Sequence, residues 1–283
     1  MDTGQYCGFN VTIDGPGITT VTFDQPDRMN GLDRNVKRDL IEMLTQANVD
    51  KRVRVIVFTG EGRAFCAGDD VTPNPQRGAP TKVAMLDYPA NPETAIETYD
   101  SLRNTSQRLI QMIRNVNRIT IAAVNGFAIQ SGLSIALACD FKVAARSAKL
   151  GSATLRFGYL PDEGGHWLLV EHLGMAKAMD FVLRKRIVTA DEALQLGLLT
   201  EVVDDADLSG HARALAEELA NGPQVAMRMA KRALYMAGGA SFEAACDDIA
   251  TKTTLCDHHP DAKEGKAAFA ERRPAQFNRW LED

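Results

Sequence analysis

Residues 121–145 read IAAVNGFAIQSGLSIALACDFKVAA, and the fold class follows from how that stretch divides. Ile119–Val124 is an apolar, partly β-branched run of strand length. Asn125–Ser131 is a loop of small and polar residues that opens on an Asn-Gly pair. Gly132–Ala138 is predicted to form a short helix, and Phe141–Ala144 returns to strand. Strands that alternate with helices need crossover connections, which places the chain in the α/β class.

The same design recurs upstream. The β-rich run Val53–Phe58 (VRVIVF) leads into GRAFCAGDD, residues Gly62–Asp70. In both segments a strand enters a tight loop of small residues that precedes a helix. Such loops leave backbone N–H groups unpaired and aimed into a cavity, where a helix start adds its positive dipole end. Two N–H groups converging on one oxygen stabilise an enolate or tetrahedral oxyanion, by several kcal/mol in typical cases. Alone, AGDD is explained equally well as a turn, and SGLSIALAC as a small-residue helix packed in a core. Their joint occurrence gives the pair its weight.

Working outward, the turn at Asp14–Gly17 precedes a strand at Thr19–Phe23. Asp33 is placed to cap a helix running through Val49, with Val36, Leu40, Met43, Leu44 and Ala47 on one apolar face. Val71–Pro92 is rich in Pro, Asn and Gly and reads as a surface loop or as a binding loop over a site. One helix is predicted across Ala95–Asn117. After Gly164 the chain reads as almost wholly helical, over Gly165–Leu173, Ala176–Leu183, Ala190–Leu196, Asp207–Asn221, Gln224–Met236, Phe242–Cys256 and Asp261–Glu271. This shift suggests a core over residues 1–200 and a helical C-terminal region over 201–283. No internal sequence repeat is evident.

The 283 residues, 45% hydrophobic and 24% charged, have a globular composition, and a net charge of -5 argues against general nucleic-acid binding. Five scattered cysteines without a CxxC pair suggest neither a disulfide framework nor a thiolate metal site. With no basic, apolar leader and no membrane-length apolar run, a soluble cytoplasmic protein is expected.

With these segments in view, the sequence resembles the crotonase superfamily, the enoyl-CoA hydratase/isomerase family, over nearly its full length. The matching stretches are QPDRMNGL (Gln25–Leu32), RAFCAGDD (Arg63–Asp70), Ile121–Ala145, GYLPDEGG (Gly158–Gly165), RIVTADEALQLGLLTEVV (Arg186–Val203) and AFAERRP (Ala268–Pro274). The resemblance implies a spiral of ββα repeats and a helical C-terminal trimerisation region. It also implies a homotrimer or dimer of trimers acting on CoA thioesters, with coenzyme A as part of the substrate and no covalently bound cofactor. No metal or membrane partner is expected, and RNA binding, known in one branch of the family, is set aside because the net charge is -5 and no basic helix is present. By position, the backbone N–H groups of Asp69 and Ser131 would hold the thioester oxygen. The loop residues Ala64, Cys66, Ala67, Gly68, Asp70, Gln130 and Gly132 would line the thioester and CoA path. Arg28 and Gly31 would follow the CoA. Phe269 and Arg272 would reach the adenine and 3′-phosphate from a neighbouring subunit.

The acid and base are less simply placed. Hydratases of the family use two glutamates, and the matching positions here are Ser134 and Thr154. Neither hydroxyl is a general base near neutral pH without a partner. Asp162 falls where family members that move double bonds carry an aspartate, and Glu163 follows it. Both acids also suit a helix start at Gly164. His166 reads mainly as structural, Cys66 as a packed residue without a base beside it, and His258-His259 lacks metal-site spacing. An enoyl-CoA isomerase or hydratase with Asp162 as acid/base is the leading reading. A thioester or carbon–carbon bond hydrolase, and a non-catalytic acyl-CoA binder, stand as alternatives. Met85, Leu86 and Tyr88 hint at a sizeable apolar or cyclic acyl group.

Overall fold

In the computed structural model, residues 1–70 and 93–281 are described. The expected binding loop at Val71–Pro92 lies outside them. The elements run β1 (Gly4–Tyr6), β2 (Phe9–Asp14), β3 (Ile18–Phe23), α1 (Arg34–Val49), β4 (Val55–Gly60), β5 (Ala64–Cys66), α2 (Ala95–Asn104), α3 (Ser106–Asn115), β6 (Ile119–Val124), β7 (Phe127–Ile129), α4 (Ser131–Ala138), β8 (Phe141–Ala145) and β9 (Lys149–Gly151). They continue α5 (Gly165–Leu173), α6 (Met175–Leu183), β10 (Ile187–Thr189), α7 (Ala190–Leu196), β11 (Glu201–Val203), α8 (Leu208–Asn221), α9 (Gln224–Ala237), α10 (Phe242–Asp257) and α11 (Pro260–Glu271).

Two sheets form the frame. The larger has the order β1-β2-β3-β4-β6-β8-β11, and the smaller β10-β9-β7-β5. From β3 to β11 the large sheet is parallel. Its central strands are therefore covered on both faces and read as continuous apolar runs; β6 is buried at every position. Three successive turns of chain each place one strand in the large sheet, one in the small sheet and then a helical segment. They are β4-β5-α2/α3, β6-β7-α4 and β8-β9-α5. This is the ββα spiral that the resemblance implied.

Alternate side chains of the large sheet enter different cores, as the strand period of two requires. Ile56, Phe58, Ala122 and Val124 join the main core, with Phe65, Ile135 and Leu150 from the small sheet and α4. Val55, Val57, Ile121 and Ala123 face the other way and meet Leu208, Ala212, Ala216 and Ala220 of α8. The four-residue spacing of that α8 stripe, small at three of its four positions, lets the helix lie close on the sheet.

Several sequence expectations hold to the residue. The Asp33 carboxylate accepts from the Val36 N–H at 2.9 Å as the cap of α1. Others need correction. The single helix expected at Ala95–Asn117 is two, broken at Thr105, whose φ of -119° and ψ of -84° are not helical. The Thr105 hydroxyl bonds back to the Ser101 carbonyl at 2.6 Å, and the break lets α3 bury Leu109, Ile110 and Ile113 while α2 buries nothing. The region after Gly164 also contributes strands: β10 extends the small sheet and β11 the large one. The two loops expected at Gly62–Asp70 and Asn125–Ser131 each contain a three-residue strand, β5 and β7, which pair with one another. Among the described residues no helix is long and apolar enough to cross a membrane. None of them forms a group of three or more His, Cys, Asp or Glu placed to hold a metal ion.

Candidate active site

The pairing of β5 with β7 brings the two small-residue loops side by side. Gly68, at φ +94°, turns the first loop back, and a Cβ on it would lie 3.6 Å from the Ser131 nitrogen. Its carbonyl accepts from Leu32, and Asp70 N–H donates to the Leu32 carbonyl, so the Asp69 N–H between them faces the other way. In the second loop Gln130 is held at φ 49° and ψ -107° immediately before α4. The first intrahelical bond of α4 is Ser134 N–H to the Gln130 carbonyl. The N–H groups of Asp69 and Ser131 have no acceptor among the described residues. Gly132 permits this close approach, because a Cβ there would stand 1.9 Å from the Cys66 carbonyl oxygen.

Beside these two amides lies a chain of charged and hydroxyl groups. The Asp69 carboxylate accepts from Lys37 Nζ at 2.6 Å and from Ser131 Oγ at 2.7 Å. Lys37 is buried on α1 and donates also to Ser106 Oγ at 2.8 Å. Asp162 neighbours this pair. It shows surface to solvent, yet its carboxyl is crowded enough by protein that desolvation raises its pKa. The Asp69 charge adds to the rise and Lys37 opposes it. The Asp162 carbonyl is held by Gln107 Nε2 of α3 at 2.9 Å.

Glu163 behaves differently from its neighbour. Only 2% of it is exposed. Its Oε1 accepts from Ser134 Oγ at 2.6 Å and from Gln130 Nε2 at 2.9 Å. Gln130 Oε1 accepts in turn from Ser152 Oγ at 3.0 Å and Thr154 Oγ1 at 3.1 Å. The two positions at which the resemblance placed hydratase glutamates, Ser134 and Thr154, are thus joined through one buried network. Burial raises the Glu163 pKa, partly offset by the Ser134 and Gln130 hydrogen bonds. Its Oε2 is buried without a hydrogen-bond partner among the described residues.

The remaining candidates fall around this centre. Arg28 forms an ion pair with Asp70 at 2.6 Å, and Gly31 packs against the Asp70 side chain. The Ala64 carbonyl accepts from Asn30 Nδ2 at 2.7 Å and Asn125 Nδ2 at 3.2 Å, and Ala67 N–H donates to the Met29 carbonyl. Cys66 is fully buried, and burial pushes its thiol up to about 12, which leaves it protonated and inert. His166 lies 3.2 Å through Nδ1 from the Pro161 carbonyl. Phe269, 87% exposed, and Arg272 stand on the last turn and cap of α11. His258 and His259 are engaged with the Thr254 carbonyl and the Asp261 N–H. Sequence reasoning missed Lys37 and the Gln130 side chain. Lys37 carried a signal, since it lies three residues before Leu40 on the buried side of α1. The Gln130 amide carried none.

Comparison with known proteins agrees with this architecture. The enoyl-CoA hydratase/isomerase family model matches residues 14–279. The chain is 33% identical over 261 residues to 1,2-epoxyphenylacetyl-CoA isomerase of Escherichia coli, covering 92% of this chain and 95% of that protein. It is 31% identical over 261 residues to (E)-benzylidenesuccinyl-CoA hydratase of Thauera aromatica, covering 92% and 95%. Among solved structures, an enoyl-CoA hydratase from Bacillus anthracis superposes with a TM-score of 0.84 at 26% identity, covering 95% of this chain and 98% of that one. From the spiral of paired strands and helices to the two loops it brings together, this chain belongs to the enoyl-CoA hydratase/isomerase family.

Proposed function

We propose that this protein processes acyl-CoA thioesters by stabilising a thioester enolate between the Asp69 and Ser131 N–H groups while Asp162 moves a proton. The observation that carries the reading is the side-by-side placement of two amides, unpaired among the described residues, near a carboxyl whose pKa is raised by desolvation. A carboxylate so raised is closer to the working pH and a better proton acceptor. Asp162 takes a proton from the carbon chain next to the reacting double bond, the electron pair moves into the thioester carbonyl, and the amides hold the resulting oxyanion. Return of the proton to a different carbon shifts the double bond, with no atom gained or lost.

Isomerisation is favoured over the two-glutamate hydration route because Ser134 and Thr154 supply hydroxyls that are already engaged with Glu163 and Gln130. Hydration, with water added to the same enolate system, is the second reading, supported by the Thauera relative named a hydratase. In this proposal Arg28, Gly31 and Ala67 follow the CoA, and the protein works in the cytoplasm as a homotrimer or dimer of trimers. Phe269 and Arg272 then serve a neighbouring copy.

The test is incubation with a panel of saturated, 2-enoyl, 3-enoyl and cyclic acyl-CoA thioesters in deuterated water. Deuterium is expected next to the thioester in the parent protein. In Asp162→Asn, exchange should fall roughly 100- to 10,000-fold while thioester binding persists. Unchanged exchange in that variant removes Asp162 from the mechanism.

A further inference from the structure

The two residues whose amides lie side by side also carry side chains that bond to one another. Asp69 Oδ1 accepts from Ser131 Oγ at 2.7 Å, and Asp69 Oδ2 accepts from Lys37 Nζ at 2.6 Å. Lys37 donates in addition, at 2.8 Å, to Oγ of Ser106, the first residue of α3 after the break at Thr105. One buried ammonium thereby links α1, α3, the first loop and the start of α4. The Lys37 side chain is 7% exposed, whereas that of Asp69 is 46% exposed. A lysine buried to this depth needs a charged partner, and here that partner stands on the proposed oxyanion hole.

The placement of Asp69 poses an electrostatic problem. Its carboxylate is carried by one amide residue and bonded to the side chain of the other. A negative charge therefore stands beside the point where the thioester oxygen would gain one, and like charges repel strongly once water is excluded. In the free protein solvent reaches Asp69 and screens it. A thioester seated on the amides would cover that side, leaving Lys37 as the counter-charge. The same two charges are felt at Asp162, whose pKa Asp69 raises and Lys37 lowers. Removing Lys37 thus acts most when the oxyanion forms, and less when the neutral thioester binds.

We propose that Lys37 is a positioning residue for enolate formation: through Asp69 it cancels the carboxylate charge beside the oxyanion and holds that carboxylate on Ser131, so that the two amides stay aimed at one oxygen. The proposal rests on the enolate reading above and assigns to that site a residue that acts without touching the substrate.

Deuterium exchange is measured with the thioester of the panel that the parent exchanges fastest. Rates are taken at the pH plateau of each variant, so that a shifted acidic limb is not read as a lost rate. Binding of hexanoyl-CoA, a saturated thioester, is measured by calorimetry. Lys37→Met is expected to lower the exchange rate about 100-fold while affinity changes by less than about threefold. Combining Lys37→Met with Asp69→Asn removes the uncancelled charge and keeps an acceptor for Ser131 Oγ. The double variant should exchange at least about tenfold faster than Lys37→Met alone. A residue needed only for packing gives no such rescue. Where Lys37→Met does not fold, Ser131→Ala decides, since it keeps the amide and loses the side-chain bond. Its exchange is expected to fall about tenfold with affinity retained. Unchanged exchange in Lys37→Met overturns the proposal, as does a double variant no faster than the single one. Without a folded Lys37→Met, unchanged exchange in Ser131→Ala overturns it. Each of these results leaves the enolate reading standing. No exchange in the parent with any thioester of the panel overturns the enolate reading, and the proposal with it.

Discussion

Two adjacent carboxylates, Asp162 and Glu163, are given opposite surroundings by a single backbone turn. Asp162 stays near solvent beside Asp69 and Lys37, and Glu163 turns inward to Ser134 and Gln130. Their titrations make separate predictions. The raised pKa of Glu163 means that the folded state keeps a proton which the unfolded state releases, so stability falls as pH rises above the ordinary glutamate range. Glu163→Gln removes that loss. Its melting temperature should exceed the parent's at neutral and alkaline pH, with the gap closing in acid, at roughly 2–4 °C per kcal/mol for a chain of this size. Differential scanning calorimetry across pH reads it directly, and a gap that widens in acid contradicts the assignment. Lys37 lowers the Asp162 pKa, so Lys37→Met should move the acidic limb of the exchange-rate profile to higher pH. A limb that stays in place means that Lys37 holds the loop without tuning the acid. From the sequence, Asp162 was placed by the PDEGG segment. The inward turn of Glu163 was not legible, because its partner Ser134 lies 29 residues away in the chain.

At the scale of elements, what could be read was what repeats with a helical or strand period over many residues. The Asp33 cap and the apolar face of α1 were legible for that reason, and Asp33→Ala should cost about 1 kcal/mol in urea denaturation. The strands β5, β7, β9 and β10 have three residues each, too few to show an alternation. They are defined by pairing across the small sheet and not by their own side chains. The break at Thr105 was hidden similarly, since the hydroxyl that closes it is compatible with a continuous helix. Gly132 tests how tightly the elements are fitted. Its Cβ-less contact with the Cys66 carbonyl leaves no room for a methyl group, so Gly132→Ala must push α4 away from β5. A loss of about 1–3 kcal/mol is expected. Deuterium exchange should fall further than that loss explains, because the Ser131 amide moves with the helix.

For the molecule as a whole, large apolar side chains are exposed over residues 157–194 and again on the later helices. Leu234, Phe242, Leu255 and Phe269 are each at least 60% exposed, and α10 buries no residue within this chain. Surface of that kind on a single chain is characteristic of an interaction face, in keeping with the proposed homotrimer. Sedimentation velocity is expected to show three or six copies, and Phe269→Ala should weaken thioester binding while leaving the melting temperature of the isolated fold unchanged. A monomer that binds CoA thioesters as tightly as the parent assembly would separate the helical face from the site. The family and the spiral were legible because six segments matched in order. The proposed assembly face shows itself only as helices with little of this chain to cover them.

The bond between Ser134 and Glu163 also couples what these two positions can hold. With 2.6 Å between Ser134 Oγ and Glu163 Oε1, an acid placed at position 134 would press two carboxyls into one buried site, where both cannot ionise. The two acids would have to share one proton, so the effect of a carboxyl at 134 depends on the residue at 163. Ser134→Glu in this chain should be less tolerated than the same change combined with Glu163→Ala, and the difference between the two measures that coupling.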